Sequence, residues 1–424
     1  MPDSRRILIT GLSSHWGGRL AQQLEANAAI ETIVGVDTTD PKHELQRTEF
    51  VRVDTDDAVL RRIVKAAAID TVVDTRLIPD PLLTGIRRAH EVNVLGTRGV
   101  LGACGRTDSP VRKLVFKSSA HYYGSDQSGP AFFSEDMVPP RPPQTAIERD
   151  VVDAELALAE FAGANPETTV TVLRFAGAVG GELRASHLGL LNLPVVPAIL
   201  GFDPRCQFIH GDDVLGVLAH AVRHDLPGNY NAAADGVLAL SEVVSLLGKP
   251  LLPVLPPWGT GFAARQLRRL GLRVPVEMLR DLRFGRGLDN RKLKAAGYSY
   301  RYTTRETVQK LRAQQRLRPL LRSGGESYRY ERDVEEFLRW SPSVQGLEAG
   351  QDGMAGPDHA DGPSARPAHS LDSLSEGELL EIIPSLETEA LEQLSGHEAG
   401  HQARRRVLDA LEQQLARRSR AGRN

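Results

Sequence analysis

The chain has 424 residues, a formal net charge of −2 and two cysteines, Cys104 and Cys206. Near-balanced charge excludes bulk attraction to nucleic acid or to an anionic membrane, and so few cysteines exclude a disulfide framework and fit a reducing cytoplasm. The length exceeds one ordinary domain, which implies a large domain with an appendage. No apolar run reaches the ~18 residues of a membrane helix, and the N-terminus lacks the apolar segment of a signal peptide, so a cytoplasmic location is expected.

The chain opens on Arg6-Ile-Leu-Ile-Thr-Gly-Leu-Ser-Ser-His-Trp-Gly-Gly18. A short apolar run at 7–10 meets a glycine turn, and a helical pattern follows near 18–27. Strand, tight turn and helix in that order form a cradle for a pyrophosphate, because glycines admit the phosphates to the backbone and the helix start offers unpaired N–H groups. A second strand, 32–36, ends at Asp37. A carboxylate there accepts both ribose hydroxyls of an adenosine and repels a 2′-phosphate. No arginine adjoins Asp37 in the sequence, so the expected cofactor is NAD rather than NADP.

Alternation then continues. Strands are expected at 50–53, ending at Asp54, and at 71–73, 113–117 and 170–173. Helices are expected near 58–67, 87–104 and 149–162. Repeated β-α alternation predicts an α/β fold with a parallel, doubly wound Rossmann sheet. It occupies 1–175, receives segments near 205–235, and is followed by a smaller substrate domain, mainly 176–322. Seven arginines between Arg265 and Arg286 interleave with leucines. They read as an amphipathic helical pair, with an acidic partner or lipid headgroups as the alternative. Residues 323–343 close the core. Residues 344–370 are rich in Gly, Pro, Ala, Asp and His and too poor in apolar side chains to order themselves. At 371–418, capping-box patterns and an apolar stripe of Val407, Leu408, Leu411 and Leu415 predict a helical mini-module. So small a module commonly needs a protein partner.

Several segments in order carry a family resemblance: Thr10–Gly17, Asp37, Val53-Asp54, Asn93–Thr97, Lys117–Gly124, Val172–Arg174, Gln207–Val214, Gly228–Asn231 and Leu288–Tyr298. Across about residues 5–315 the chain resembles the extended short-chain dehydrogenases, and more narrowly the NAD-dependent epimerase/dehydratase family that includes UDP-glucose 4-epimerase. The resemblance implies a nucleotide-sugar ligand. It implies cofactor contacts from Gly11, Ser14, His15, Trp16, Gly17, Asp37, Asp54, Asn93, Ser118 and Arg149, with Asp54 at the adenine amine and Asn93 at the nicotinamide end. Ser119 falls where the family hydrogen-bonds the reacting hydroxyl. Pairing of two copies through the helices near 87–104 and 149–162 is a further implication.

The same chemistry needs a base for the sugar hydroxyl, and the family uses a Tyr four residues before a Lys whose charge lowers the phenol pKa. The helix after Pro143 reads Gln144-Thr-Ala-Ile-Glu-Arg-Asp-Val-Val-Asp-Ala-Glu155 and holds neither residue. A gapless placement puts Thr145 and Arg149 at the two positions, and a shift of two gives Ile147 and Val151. Arginine can hold a ribose hydroxyl, but threonine cannot supply a base. The family's His-Leu-Ala-Ala after the fourth strand is Asp74-Thr-Arg-Leu77, and the Asn often carried after its Leu-Arg strand is Gly177. His121, Tyr122 and Tyr123 are the replacement bases to consider, His121 because an imidazole titrates near neutrality. The chain thus reads as an NAD-dependent epimerase/dehydratase-like protein with a degenerate or displaced base. The alternative is a non-catalytic NAD-binding sensor or scaffold acting through its helical tail. No metal site is expected.

Overall fold

Short apolar runs separated by amphipathic stretches build the sheet that their alternation predicts. The computed structural model describes residues 4–53, 57–79, 84–105, 109–179, 191–255, 282–317, 395 and 405–421. Its first half runs β1 (Arg6–Thr10), α1 (His15–Glu25), β2 (Thr32–Asp37), β3 (Thr48–Arg52), α2 (Asp57–Ala66) and β4 (Thr71–Asp74). Then come α3 (Ile86–His90), a π-helical turn (Glu91–Gly96), α4 (Thr97–Cys104), β5 (Lys113–Ser119), a 3-10 turn (Ala120–Tyr123), α5 (Ala146–Ala164) and β6 (Thr169–Phe175). β7 (Gly177–Val179), β8 (Val196–Ile199), β9 (Arg205–Cys206) and β10 (Phe208–His210) precede α6 (Gly211–Arg223) and β11 (Gly228–Ala232). β12 (Leu238–Ala239), α7 (Leu240–Leu246), β13 (Leu251–Leu255), α8 (Arg291–Ala295) and α9 (Thr304–Leu317) follow.

Seven of these strands form one sheet in the order β11-β6-β5-β4-β1-β2-β3, every pair parallel. Side chains alternate across it, as the pleat requires. Ile7 and Ile9 enter one core with Leu20 and Leu24 of α1 and Val214 and Leu218 of α6. Leu8 enters the opposite core with Leu60 of α2, Val100 of α4 and Val151 and Leu158 of α5. The chain leaves β1 toward β2 and β3, then crosses back to β4 on the other side of β1. The crevice at the C-terminal ends of β1 and β4 is therefore the topological switch point, where ligands bind in open α/β sheets.

A smaller core lies in the later segments, where Val196, Ile199, Phe208, Val243, Val244, Leu282 and Val308 pack together. It includes the pairings β7–β10, β8–β13 and β9–β12. The chain divides into two compact units, Met1–Leu311 and Arg312–Asn424. The expected end of the core at 323–343 and the expected linker at 344–370 lie outside the described residues, as do five of the seven arginines between 265 and 286. Of the expected helical module, α10 (Arg405–Ala421) is described, with Val407 and Leu411 of its apolar stripe buried. Among the described residues no helix is long and apolar enough to cross a membrane, and no group of His, Cys, Asp and Glu is placed to hold a metal.

Candidate functional site

The glycine turn is built by two close approaches. Gly11 has φ +85°, a conformation that favours glycine, and a Cβ on Gly17 would lie 2.1 Å from the Gly11 carbonyl oxygen. Ser14 caps α1, its hydroxyl accepting from the Gly17 N–H at 3.0 Å. Asp37, at the end of β2, faces this turn: one carboxylate oxygen accepts from the Ser13 N–H at 2.9 Å and from its hydroxyl at 2.5 Å, and the other accepts from the Thr38 N–H at 2.7 Å. The acidic group thus braces the turn at the rim of the crevice. His15 is buried, its ring 4.8 Å from that of Trp16 and its Nε2 3.4 Å from Arg19. Asp54 lies outside the described residues.

Across the crevice, Thr75 donates to the Thr10 carbonyl at 2.9 Å and so ties the segment after β4 to β1. Asn93 sits in the π-helical turn. Its carboxamide oxygen accepts from the Ile78 N–H at 2.7 Å, and its nitrogen donates to the Ile78 carbonyl at 3.0 Å. Both ends are spent on the backbone of one residue, and the nitrogen also reaches Asp150 at 3.5 Å, so this side chain shapes the crevice wall instead of offering a free amide at the nicotinamide end. Insertions of this kind in a helix frequently mark functional sites.

β5 continues through Ser119, two residues beyond the expected end, because its ladder with β6 runs on to Phe175. Strand alternation then sends successive side chains to opposite faces. Ser118 points to α5, its hydroxyl donating to Glu155 at 2.5 Å, which withdraws it from the expected cofactor role. Ser119 lies on the other face, its Oγ 2.8 Å from His121 Nδ1. Both are buried. Lys117, also on the Ser119 face and 5% exposed, has its ammonium 5.6 Å from the Trp16 ring centroid and 5.7 Å from that of Phe175. The sequence reading missed it, although the period-two spacing from Ser119 carries the signal. Arg286, at the end of the arginine-rich stretch, reaches the Ala120 carbonyl at 3.4 Å.

Tyr123 is committed elsewhere. Its hydroxyl donates to Asn231 at 2.9 Å and accepts from Arg174 at 2.8 Å. Burial pushes its pKa up to about 12, against the pull of Arg174. The tyrosine is a strut between β5, β6 and β11 and not a reachable base. Replacing Tyr123 by Phe is expected to cost about 1–3 kcal/mol of stability in urea unfolding, through the unpaired Asn231 and Arg174 atoms, with NAD titration unchanged. An equal loss of NAD affinity would reassign it to the site. Tyr122 lies under the same guanidinium, 3.5 Å from ring centroid to Arg174 Cζ.

α5 begins at Ala146, earlier than expected, because Thr145 and Glu148 form a capping box. The Thr145 hydroxyl accepts from the Glu148 N–H at 3.2 Å. Arg149 is exposed and donates to the Thr145 carbonyl at 3.3 Å. Ile147 and Val151 are buried among apolar side chains. The first turns of α5 therefore present neither phenol nor ammonium.

A model of the NAD dependent epimerase/dehydratase family matches residues 7–233. An uncharacterized protein of Mycobacterium tuberculosis is 32% identical over 308 residues, 71% of this chain and 81% of that protein. MoeE5 in complex with UDP-glucose and NAD shares the fold with TM-score 0.54 and 23% identity, over 74% of this chain and 99% of that one. The UDP-glucose 4-epimerase of Thermus thermophilus in complex with NAD does so with TM-score 0.56 and 21% identity, over 73% and 99%.

Proposed function

This chain belongs to the NAD dependent epimerase/dehydratase family, and we propose that it holds NAD in the β1–β4 crevice and presents a nucleotide-sugar-like ligand to the Ser119–His121 pair. The observation that carries the reading is the 2.8 Å contact between Ser119 Oγ and His121 Nδ1 at the end of β5, in a chain whose α5 holds neither tyrosine nor lysine. The fit to NAD rests on Gly11, on the close Gly11–Gly17 approach and on the Ser14 cap. Solved neighbours of the same fold contain NAD with UDP-glucose or UDP-glucuronic acid.

Bound NAD supplies hydride acceptance and return. Ser119, donating its hydroxyl proton to His121 Nδ1, keeps lone pairs for a substrate hydroxyl. The substrate proton moves to Ser119 Oγ as the serine proton moves to His121, which becomes imidazolium. Lys117, on the same strand face, adds positive charge to this side of the sheet.

A second reading has its own support: the capping role of Thr145 and the burial of Ile147 and Val151 leave α5 without chemistry. On that reading the protein binds NAD without turnover and acts as a sensor or scaffold through its helical tail. Pairing of two copies through α4 and α5 is compatible with both, since Leu95 beside α4 and Leu156 on α5 are 55% and 56% exposed.

Calorimetric titration tests the cofactor. NAD is expected to bind more tightly than NADP, because Asp37 meets a 2′-phosphate with like charge. Asp37→Ala is expected to weaken NAD binding by about 1.5–3 kcal/mol, the worth of one charge-assisted hydrogen bond. Equal or tighter NADP binding by the natural protein overturns the assignment. Titration with UDP- and GDP-sugars in the presence of NAD tests the second ligand, and no binding of any of them overturns the nucleotide-sugar part.

A further inference from the structure

Arg76 stands in the switch-point crevice, directly across from the glycine turn. Its Cγ lies 2.7 Å from where a Cβ on Gly11 would be, so the side chain packs on the bare face that Gly11 presents. Its guanidinium is held from two sides. Nε donates to one oxygen of Asp74 at 2.9 Å and Nη2 to the other at 2.7 Å, and Nη2 also donates to the Gly96 carbonyl at 3.0 Å. Asp74 is itself buried and fixed by the Thr10 hydroxyl at 2.8 Å. The planar fork is thus preset by β1, β4 and the end of the π-helical turn, all at the C-terminal edge of the sheet.

Burying this pair is unfavourable unless every charge is well partnered. Burial alone would raise the Asp74 carboxyl, but the Arg76 guanidinium and the hydrogen bonds overcome that and hold it below the ordinary carboxylate range. The third guanidinium nitrogen, Nη1, has no hydrogen-bond partner among the described residues, and the side chain keeps 19% of its surface exposed. A guanidinium with two nitrogens tethered and one left over is preorganised to meet an oxyanion, since its fork geometry suits phosphate oxygens. A cofactor seated on the glycine turn brings a diphosphate to this edge of the sheet.

We propose that Arg76 is a phosphate-binding residue of the cofactor site: its guanidinium, clamped by Asp74 and the Gly96 carbonyl against Gly11, contacts the diphosphate of the bound dinucleotide from the β4 side of the crevice. The assignment rests on the NAD site proposed above. It makes the crevice two-sided, with backbone N–H groups of α1 on one wall and a side-chain cation on the other.

The test is titration of the full chain with NAD, ADP and adenosine, at low and moderate salt. Arg76→Met alone would strand the buried Asp74 carboxylate, so the informative variant is Arg76→Met with Asp74→Asn, its fold checked by thermal melting. Arg76→Lys keeps the charge and loses the fork. In the double variant, NAD and ADP are expected to bind about tenfold or more weaker, as one charge-assisted hydrogen bond implies, with a shallower salt dependence and adenosine binding unchanged. Arg76→Lys is expected to fall between. A double variant that melts normally and binds NAD and ADP like the natural protein overturns the Arg76 assignment while leaving the NAD site standing. Equal losses for ADP and adenosine overturn it too, since Arg76 would then only brace the turn. An NADP preference in the natural protein that vanishes in the double variant would move the guanidinium to a 2′-phosphate and refute the diphosphate contact. A natural protein that binds neither NAD nor ADP overturns both readings.

Discussion

Turnover of UDP-glucose or UDP-galactose by the purified protein is expected to fall about 10²–10⁴-fold below the ordinary enzyme range of about 1–10³ per second. That factor is the usual worth of a positioned general base, and the helix that carries the base in related sugar-nucleotide enzymes offers Thr145, Ile147, Arg149 and Val151 instead. What turnover remains is assigned to the Ser119–His121 pair. His121→Ala is expected to abolish it while NAD affinity survives, and Ser119→Ala to do the same. Coupled assays of both variants beside the natural protein decide the matter. Ordinary rates that persist in His121→Ala would show a base elsewhere. NAD binding by all three proteins with no turnover of any sugar nucleotide would leave the non-catalytic reading.

Loss of Glu155 is expected to be the most damaging single change to stability away from the glycine turn. Its carboxylate accepts from Arg174 Nε at 3.0 Å and Nη2 at 2.7 Å, and from Ser118. The side chains are only 5% and 2% exposed. Removing one partner of a buried pair leaves an uncompensated charge, at about 3–5 kcal/mol. Glu155→Ala should therefore shift the urea midpoint markedly. Glu155→Leu combined with Arg174→Met should recover most of the loss, because the desolvation cost disappears with the charges. A Glu155→Ala effect below about 1 kcal/mol would place water or another anion beside Arg174.

Much of the site was legible because its parts are local. Ile7 to Ile9, the turn from Gly11 to Gly17 and the start of α1 follow one another in the chain. Apolar periodicity, a required positive φ and a cap are all properties of neighbours in sequence. Asp37 was legible for the same reason, as the residue that closes an apolar strand. The early start of α5 was also written locally, in the Thr145-x-x-Glu148 spacing of a capping box. The missing tyrosine and lysine needed no coordinates at all.

What the sequence by itself determined, then, is the order of strands and helices, the parallel doubly wound class and the cofactor turn. Only the tertiary structure decided which polar groups were already spoken for. Ser118 and Ser119 are neighbours, yet the pleat sends one to Glu155 and leaves the other with His121. Tyr123 and Arg174 lie on different elements 51 positions apart, and their meeting removes the tyrosine from the list of bases. Asn93 is claimed by the Ile78 backbone, and Arg76 is brought against Gly11 by the crossover from β3 to β4. The physical reason is one of range. Period, turn chemistry and capping are set by residues within a few positions of one another. A hydrogen-bond partner for a buried polar group is set by which strands the crossovers make adjacent, and no local pattern encodes that.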